Sequence, residues 1–177
     1  ADGDLDANFF QTIPYLEEMS RQNGYKFAIL TSVHLEPMAV YSDRYKSVKD
    51  LPEGARIAVP SDPTNEGRAL KVLESAGVIK LKKGATLLAT VKDIVENPKK
   101  VTFYELEPAQ LPRVLPDVAA ADSIAVEPKS SPFANVVVVR KGEETKPAFA
   151  KLKKAINAPE VRTFIEKTYK GGVIPTF

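Results

Sequence analysis

The 177-residue sequence contains no cysteine, which excludes a disulfide framework, a thiolate metal site and a cysteine nucleophile together. Histidine is nearly as scarce. His34 is the single one, so a histidine-based metal cluster is excluded and any Ser-His-Asp triad would have to use it. Its neighbours, Val33 and Leu35-Glu36-Pro37, provide no nucleophile-elbow context, and Gly-x-Ser-x-Gly does not occur. Neither phosphate-loop pattern, Gly-x-x-x-x-Gly-Lys-Ser/Thr or Gly-x-Gly-x-x-Gly, is present. No apolar run approaches the roughly 18 to 20 residues that span a bilayer. The opening Ala1-Asp2-Gly3-Asp4-Leu5-Asp6 has neither a basic nor an apolar leader region, and is expected to have been cut from a longer precursor. An excess of one charge is also missing: 25 Lys+Arg against 23 Asp+Glu leave +2, far from the basic field that a phosphate backbone demands, so nucleic acid is not an expected partner.

What is present is ordinary globular material, 44% hydrophobic, long enough for one domain or two small lobes. Residues 12–23 read as a helix, with Pro14 in its first turn and Gly24 to stop it. Residues 25–30 and 38–41 read as strands of one sheet. Residues 55–59 are a short apolar run of the buried parallel kind, followed at once by a helix with Asp62 as N-cap, Pro63 in its first turn, and Ala69, Leu70, Val72, Leu73 and Ala76 as its apolar face. Short helices are expected over 90–95 and 108–115, with a strand over 101–106 between them. Residues 135–140, dense in valine, form the strongest strand and belong at the centre of a sheet, and helices over 146–156 and 159–169 close the chain. Alternating strands and helices predict an α/β fold with mixed, mostly parallel sheets flanked by helices.

In such sheets ligands settle where strands end and helices begin. The segment Pro60 to Arg68 is placed there. Asn65 and Arg68, three apart at the start of a helix, can face one side, and the planar guanidinium fork matches a carboxylate. The alternative is a surface pair of Arg68 with Glu66 or another nearby acid, while Asn65 only satisfies the helix start. Asn8-Phe9-Phe10-Gln11 and Ser131-Pro132-Phe133-Ala134-Asn135 set aromatic rings beside amides, as a pocket for an amphipathic small molecule requires, although such residues also serve cores and turns. Thr12 reads first as an N-cap. For His34 a polar lining or structural role is expected in place of a catalytic one, and no pair of carboxylates stands out as the acid and base of a hydrolase.

Six segments, in order along the chain, together resemble the NlpA family of lipoproteins, methionine-binding proteins of the MetQ type that serve ABC importers. They are Asp6-Ala7-Asn8-Phe9-Phe10-Gln11 with Pro14-Tyr15-Leu16; His34-Leu35-Glu36-Pro37 before Tyr41-Ser42; Val59-Pro60-Ser61-Asp62-Pro63-Thr64-Asn65 with Gly67-Arg68; Glu96-Asn97-Pro98-Lys99; Glu107-Pro108-Ala109-Gln110-Leu111-Pro112-Arg113; and Ser131-Pro132-Phe133-Ala134-Asn135. The resemblance implies a two-lobe periplasmic-binding-protein fold of type II, with lobes over 1–45 plus 130–177 and over 46–129, hinge motion between them and a ligand in the cleft. It implies no enzymatic activity and no cofactor. Arg68 would hold the ligand carboxylate, Asn65 and Asn135 would bond its carboxylate and amino groups, Phe10 would wall a thioether, and Thr12 and His34 would line the pocket. The 6 Tyr and 8 Phe suit sulfur-aromatic contacts.

The expected ligand is methionine, with D-methionine, its sulfoxide or a methionyl dipeptide as relatives. The expected partner is an ABC permease, and the expected location is extracytoplasmic, periplasmic or at the cell surface, through a lipid anchor ahead of this sequence. The family also carries a first strand and helix before Asp6, a further segment with a pocket asparagine between Ala121 and Asp122, and often a histidine where Thr12 stands. An α/β enzyme acting on a small carboxylate, and a surface protein without a tight ligand, are the competing readings.

Overall fold

The computed structural model describes residues 3–111, 123–128 and 130–177. Its strands in chain order are β1 (Ala7–Thr12), β2 (Phe27–Leu35), β3 (Ala39–Tyr41), β4 (Arg56–Pro60), β5 (Lys80–Leu81), β6 (Ile94–Glu96), β7 (Thr102–Leu106), β8 (Ser123–Val126), β9 (Asn135–Arg140) and β10 (Ile174–Pro175). The described α-helices are α1 (Ile13–Asn23), α2 (Pro63–Ser75), α3 (Pro147–Ile156) and α4 (Pro159–Tyr169). Two compact units result: Ala1–Pro37 with Pro128–Phe177, and Met38–Glu127.

In the first unit the sheet order is β1-β9-β2-β10, and every neighbouring pair is antiparallel. This corrects the expectation of mostly parallel sheets: among the described strands only β4 and β7 pair in parallel. The physical reason lies in β1, α1 and β2. They do form a strand-helix-strand crossover with parallel strands, but the slot between the two strands is taken by β9, which runs against both. The valine run of β9 therefore has strands on both sides and cover on both faces, and Val136 to Val139 are 0–4% exposed. Leu30, Val33, Val137, Val139 and Phe149 make this unit's core, with Leu152 and Ile156 of α3 packed on it.

Local chemistry sets the helix ends. Gly24 closes α1 in the left-handed region at φ 69°, and the first helical N–H, that of Ile13, donates to the Ala134 carbonyl at 3.2 Å. In the second unit α2 begins where Asp62 accepts the Asn65 N–H at 3.1 Å, and it buries Ala69, Leu70 and Leu73 in one core with Ile57 and Val59 of β4.

Two further expectations change. Residues 38–41 do not join β2; as β3 they pair with β8, because each three- or four-residue segment finds its ladder in the other. Residues 90–95 give one 3-10 turn at Val91–Asp93, closed by the Asp93 carboxylate accepting the Thr90 N–H at 3.0 Å, and then enter β6. Pro108–Gln110 form a 3-10 turn and Leu111 is helical; residues 112–115 of the expected helix, and the join at 121–122, fall outside the described residues.

Candidate functional site

Three of the six residues singled out in the sequence stand side by side in the first unit. Asn135, the first residue of β9, is in register with Thr12 on one side and with His34 on the other. Asn135 Nδ2 lies 3.5 Å from His34 Nε2, and the same imidazole nitrogen is 3.3 Å from Glu36 Oε1. Thr12 occupies the N-cap position of α1 without a side-chain cap hydrogen bond, so capping is not what its hydroxyl does.

The ring that meets His34 is Phe9, edge to face with centroids 5.6 Å apart. Phe10, the expected apolar wall, is 72% exposed and lies edge-on to Tyr15 at 6.2 Å. Gln11, expected from the sequence only as an amide beside aromatic rings, has a definite structural role. Its buried Nε2 donates to the Val136 carbonyl at 2.8 Å and its Oε1 accepts from Asn8 Nδ2 at 3.0 Å. The β1–β9 register shifts between Phe9 and Thr12, and Gln11 supplies a side-chain bond across that irregularity, holding Thr12 opposite Asn135. The place of Gln11 directly after two phenylalanines was the only signal for it in the sequence.

Asn65 and Arg68 belong to α2 of the second unit. Asn65 Nδ2 donates to Asp62 Oδ2 at 3.1 Å, so its side chain completes the cap begun by its own N–H. Arg68 is not the surface residue that one alternative envisaged. It is buried and forms a fork with Glu127: Nε lies 2.9 Å from Oε1, and Nη2 lies 2.5 Å from Oε2. Glu66 does not pair with it. Its Oε1 accepts the Val91 N–H at 3.0 Å. Burial pushes the Glu66 carboxyl above its ordinary value; the Val91 bond opposes this, and the nearby Glu105 and Asp93 carboxylates add to it.

Gly67, between these residues, is needed for close approach: a Cβ there would stand 2.2 Å from the Leu87 carbonyl oxygen. A cavity of about 810 Å³ in this unit is walled by β3, β4 and α2 residues such as Val40, Val59 and Leu73, and includes neither Asn65 nor Arg68. Among the described residues no cluster of three or more His, Asp or Glu could hold a metal, and no helix is long and apolar enough to cross a membrane.

The chain can thus offer a guanidinium of fixed direction in one unit and an amide, an imidazole and a hydroxyl in a row beside an aromatic ring in the other. Polar groups of these kinds, set beside apolar surface, are the ones that fix small ligands in binding pockets.

Comparison with known proteins agrees in kind. A nutrient-binding protein of Burkholderia cenocepacia, solved bound to methionine, is 48% identical with a TM-score of 0.90, over 99% of this chain and 80% of that one. An ABC-transporter periplasmic substrate-binding protein of Coxiella burnetii is 39% identical with a TM-score of 0.88, over 99% of this chain and 81% of that one. A probable D-methionine-binding lipoprotein MetQ of Vibrio cholerae is 43% identical over 98% of this chain and 70% of its own length. The model of the NlpA lipoprotein family matches residues 1–177, and the chain belongs to that family.

Proposed function

We propose that this chain is a non-enzymatic, extracytoplasmic solute-binding protein, lipid-anchored at the membrane, that captures methionine or a close relative and delivers it to the permease of an ABC importer. The observation that carries this is the row Thr12, Asn135 and His34 with Phe9 packed on the imidazole, in a chain 48% identical to a protein solved with methionine. In the finer architecture proposed, each compact unit is one lobe of a type II periplasmic-binding-protein fold, with divisions at 37/38 and 127/128 in place of the expected 45/46 and 129/130. Arg68 takes the ligand carboxylate, Asn65 and Asn135 bond its carboxylate and amino groups, Thr12 and His34 line the polar side, and Phe10 walls the thioether. The edge-on ring of Phe9 supports extending that wall to include it. Sulfur-aromatic contacts of this kind contribute about 0.3 to 1.5 kcal/mol each.

Native mass spectrometry of the purified protein, followed by denaturation and weighing of any released molecule, tests the assignment. Recovery of methionine's mass, and calorimetric binding of added L- or D-methionine that is returned unchanged, is the expected result. A protein that is empty and ignores both enantiomers overturns it, and consumption of the ligand would favour the enzyme alternative.

A further inference from the structure

Met38 and Glu127 are the first and last residues of the second unit, the points at which the chain enters and leaves it. They are joined twice. The Glu127 N–H donates to the Met38 carbonyl at 2.8 Å, and the Met38 N–H donates to Glu127 Oε2 at 3.0 Å. The same carboxylate receives Arg68 Nε and Nη2, with both side chains under a tenth exposed, at 9% for Arg68 and 6% for Glu127. An arginine side chain is long and rotamer-rich, and a lone guanidinium would sample many directions. Here its plane is set by a carboxylate that is itself anchored on backbone.

We propose that Glu127 is a positioning residue for ligand recognition: through its fork with Arg68 it fixes the guanidinium that meets the ligand carboxylate, and through Met38 it ties that guanidinium to both chain passages. The inference rests on Arg68 holding the carboxylate of methionine. Its consequence is selective. Loss of the Glu127 fork should weaken only those ligands that present a carboxylate.

Calorimetry of the parent, Glu127→Gln and Glu127→Asp with methionine and with methioninamide, which lacks the carboxylate, makes the test. Glutamine keeps an acceptor for Met38 but removes the charge. Aspartate keeps the charge, and with it the neutrality of the buried pair, while withdrawing the oxygens from Arg68 by one methylene. The parent should prefer methionine. Both variants should lose methionine affinity by roughly 10- to 100-fold, leave methioninamide affinity little changed, and so shrink the ratio between the two. A merely structural role would lower both affinities together, and that outcome, or an unchanged ratio, overturns the proposal while methionine binding stands. A parent that binds no methionine removes the solute-binding assignment itself, and the role of Glu127 falls with it.

Discussion

Asn135 and His34 are register partners on adjacent antiparallel strands, with the amide Nδ2 of one 3.5 Å from the imidazole Nε2 of the other. Asn135 opens β9, so its side chain lies at the strand's end while Val136 to Val139 carry the packing. Truncating it removes donor and acceptor groups without opening the core. Asn135→Ala is expected to weaken methionine binding by about 1 to 3 kcal/mol and to leave the urea midpoint near that of the parent. Unchanged affinity in a calorimetric titration would remove Asn135 from the ligand.

Arg68 has two roles that one substitution confounds. Arg68→Ala should weaken methionine binding by about 2 to 5 kcal/mol. It also strands the Glu127 carboxylate in the interior, which costs about 3 to 5 kcal/mol of stability. The double variant Arg68→Met with Glu127→Leu separates the two, because replacing both members of a buried pair by apolar groups is often neutral. Denaturant unfolding should show stability recovered apart from about 1 kcal/mol for the Met38 N–H, which loses its acceptor, and calorimetry should show methionine affinity still lost. Recovery of affinity in the double variant would show that Arg68 does not touch the ligand.

Much of this is legible in the sequence, and what is not has a physical reason. Signals that act within a few residues were readable: Asp62 and Pro63 at the start of α2, Gly24 after α1, the valine run of β9. Partner choice across the chain was not. The placement of β9 between β1 and β2 joins residues more than a hundred positions apart, and local periodicity reports the existence of a strand without its neighbours. The same limit applied at the site. Nearness in sequence favours Glu66 as the partner of Arg68, whereas the actual partner, Glu127, is 59 residues away. Phe9 and Phe10 are adjacent in sequence and point to opposite faces of β1, and only the pairing of β1 through β9 to β2 decides which ring meets His34.

Gly67 gives a prediction independent of any ligand. Its φ is unremarkable, so an added methyl would meet no backbone strain and would gain helix propensity worth about 0.5 to 1 kcal/mol. The obstacle is the Leu87 carbonyl oxygen at 2.2 Å from the new Cβ, a backbone atom that cannot rotate away. Overpacking of this kind typically costs about 1 to 3 kcal/mol, so Gly67→Ala should lower the thermal midpoint. A midpoint equal to or above the parent's would mean that the loop around Leu87 gives way without penalty.

Two carboxyls make stability respond to pH in opposite windows. Glu66 is raised above its ordinary 4.5, first by burial, so the folded state holds this proton more tightly than the unfolded chain. Its contribution is complete below 4.5 and is lost as pH rises through the folded value. Glu74 is lowered, first by the Leu81 N–H that it accepts at 2.8 Å and further by Lys71. Its contribution is present above 4.5 and is lost as pH falls through its folded value. Glu66→Gln keeps an acceptor for Val91 and removes the titration. Urea unfolding on both sides of 4.5 should therefore show Glu66→Gln gaining on the parent as pH rises, with no such gain on the acid side. Glu74→Gln should lose to the parent above 4.5 and approach it in acid. Parallel stability curves for the parent and Glu66→Gln across the upper window would mean that the Glu66 proton is held equally in both states, and that burial beside Glu105 carries no charge penalty.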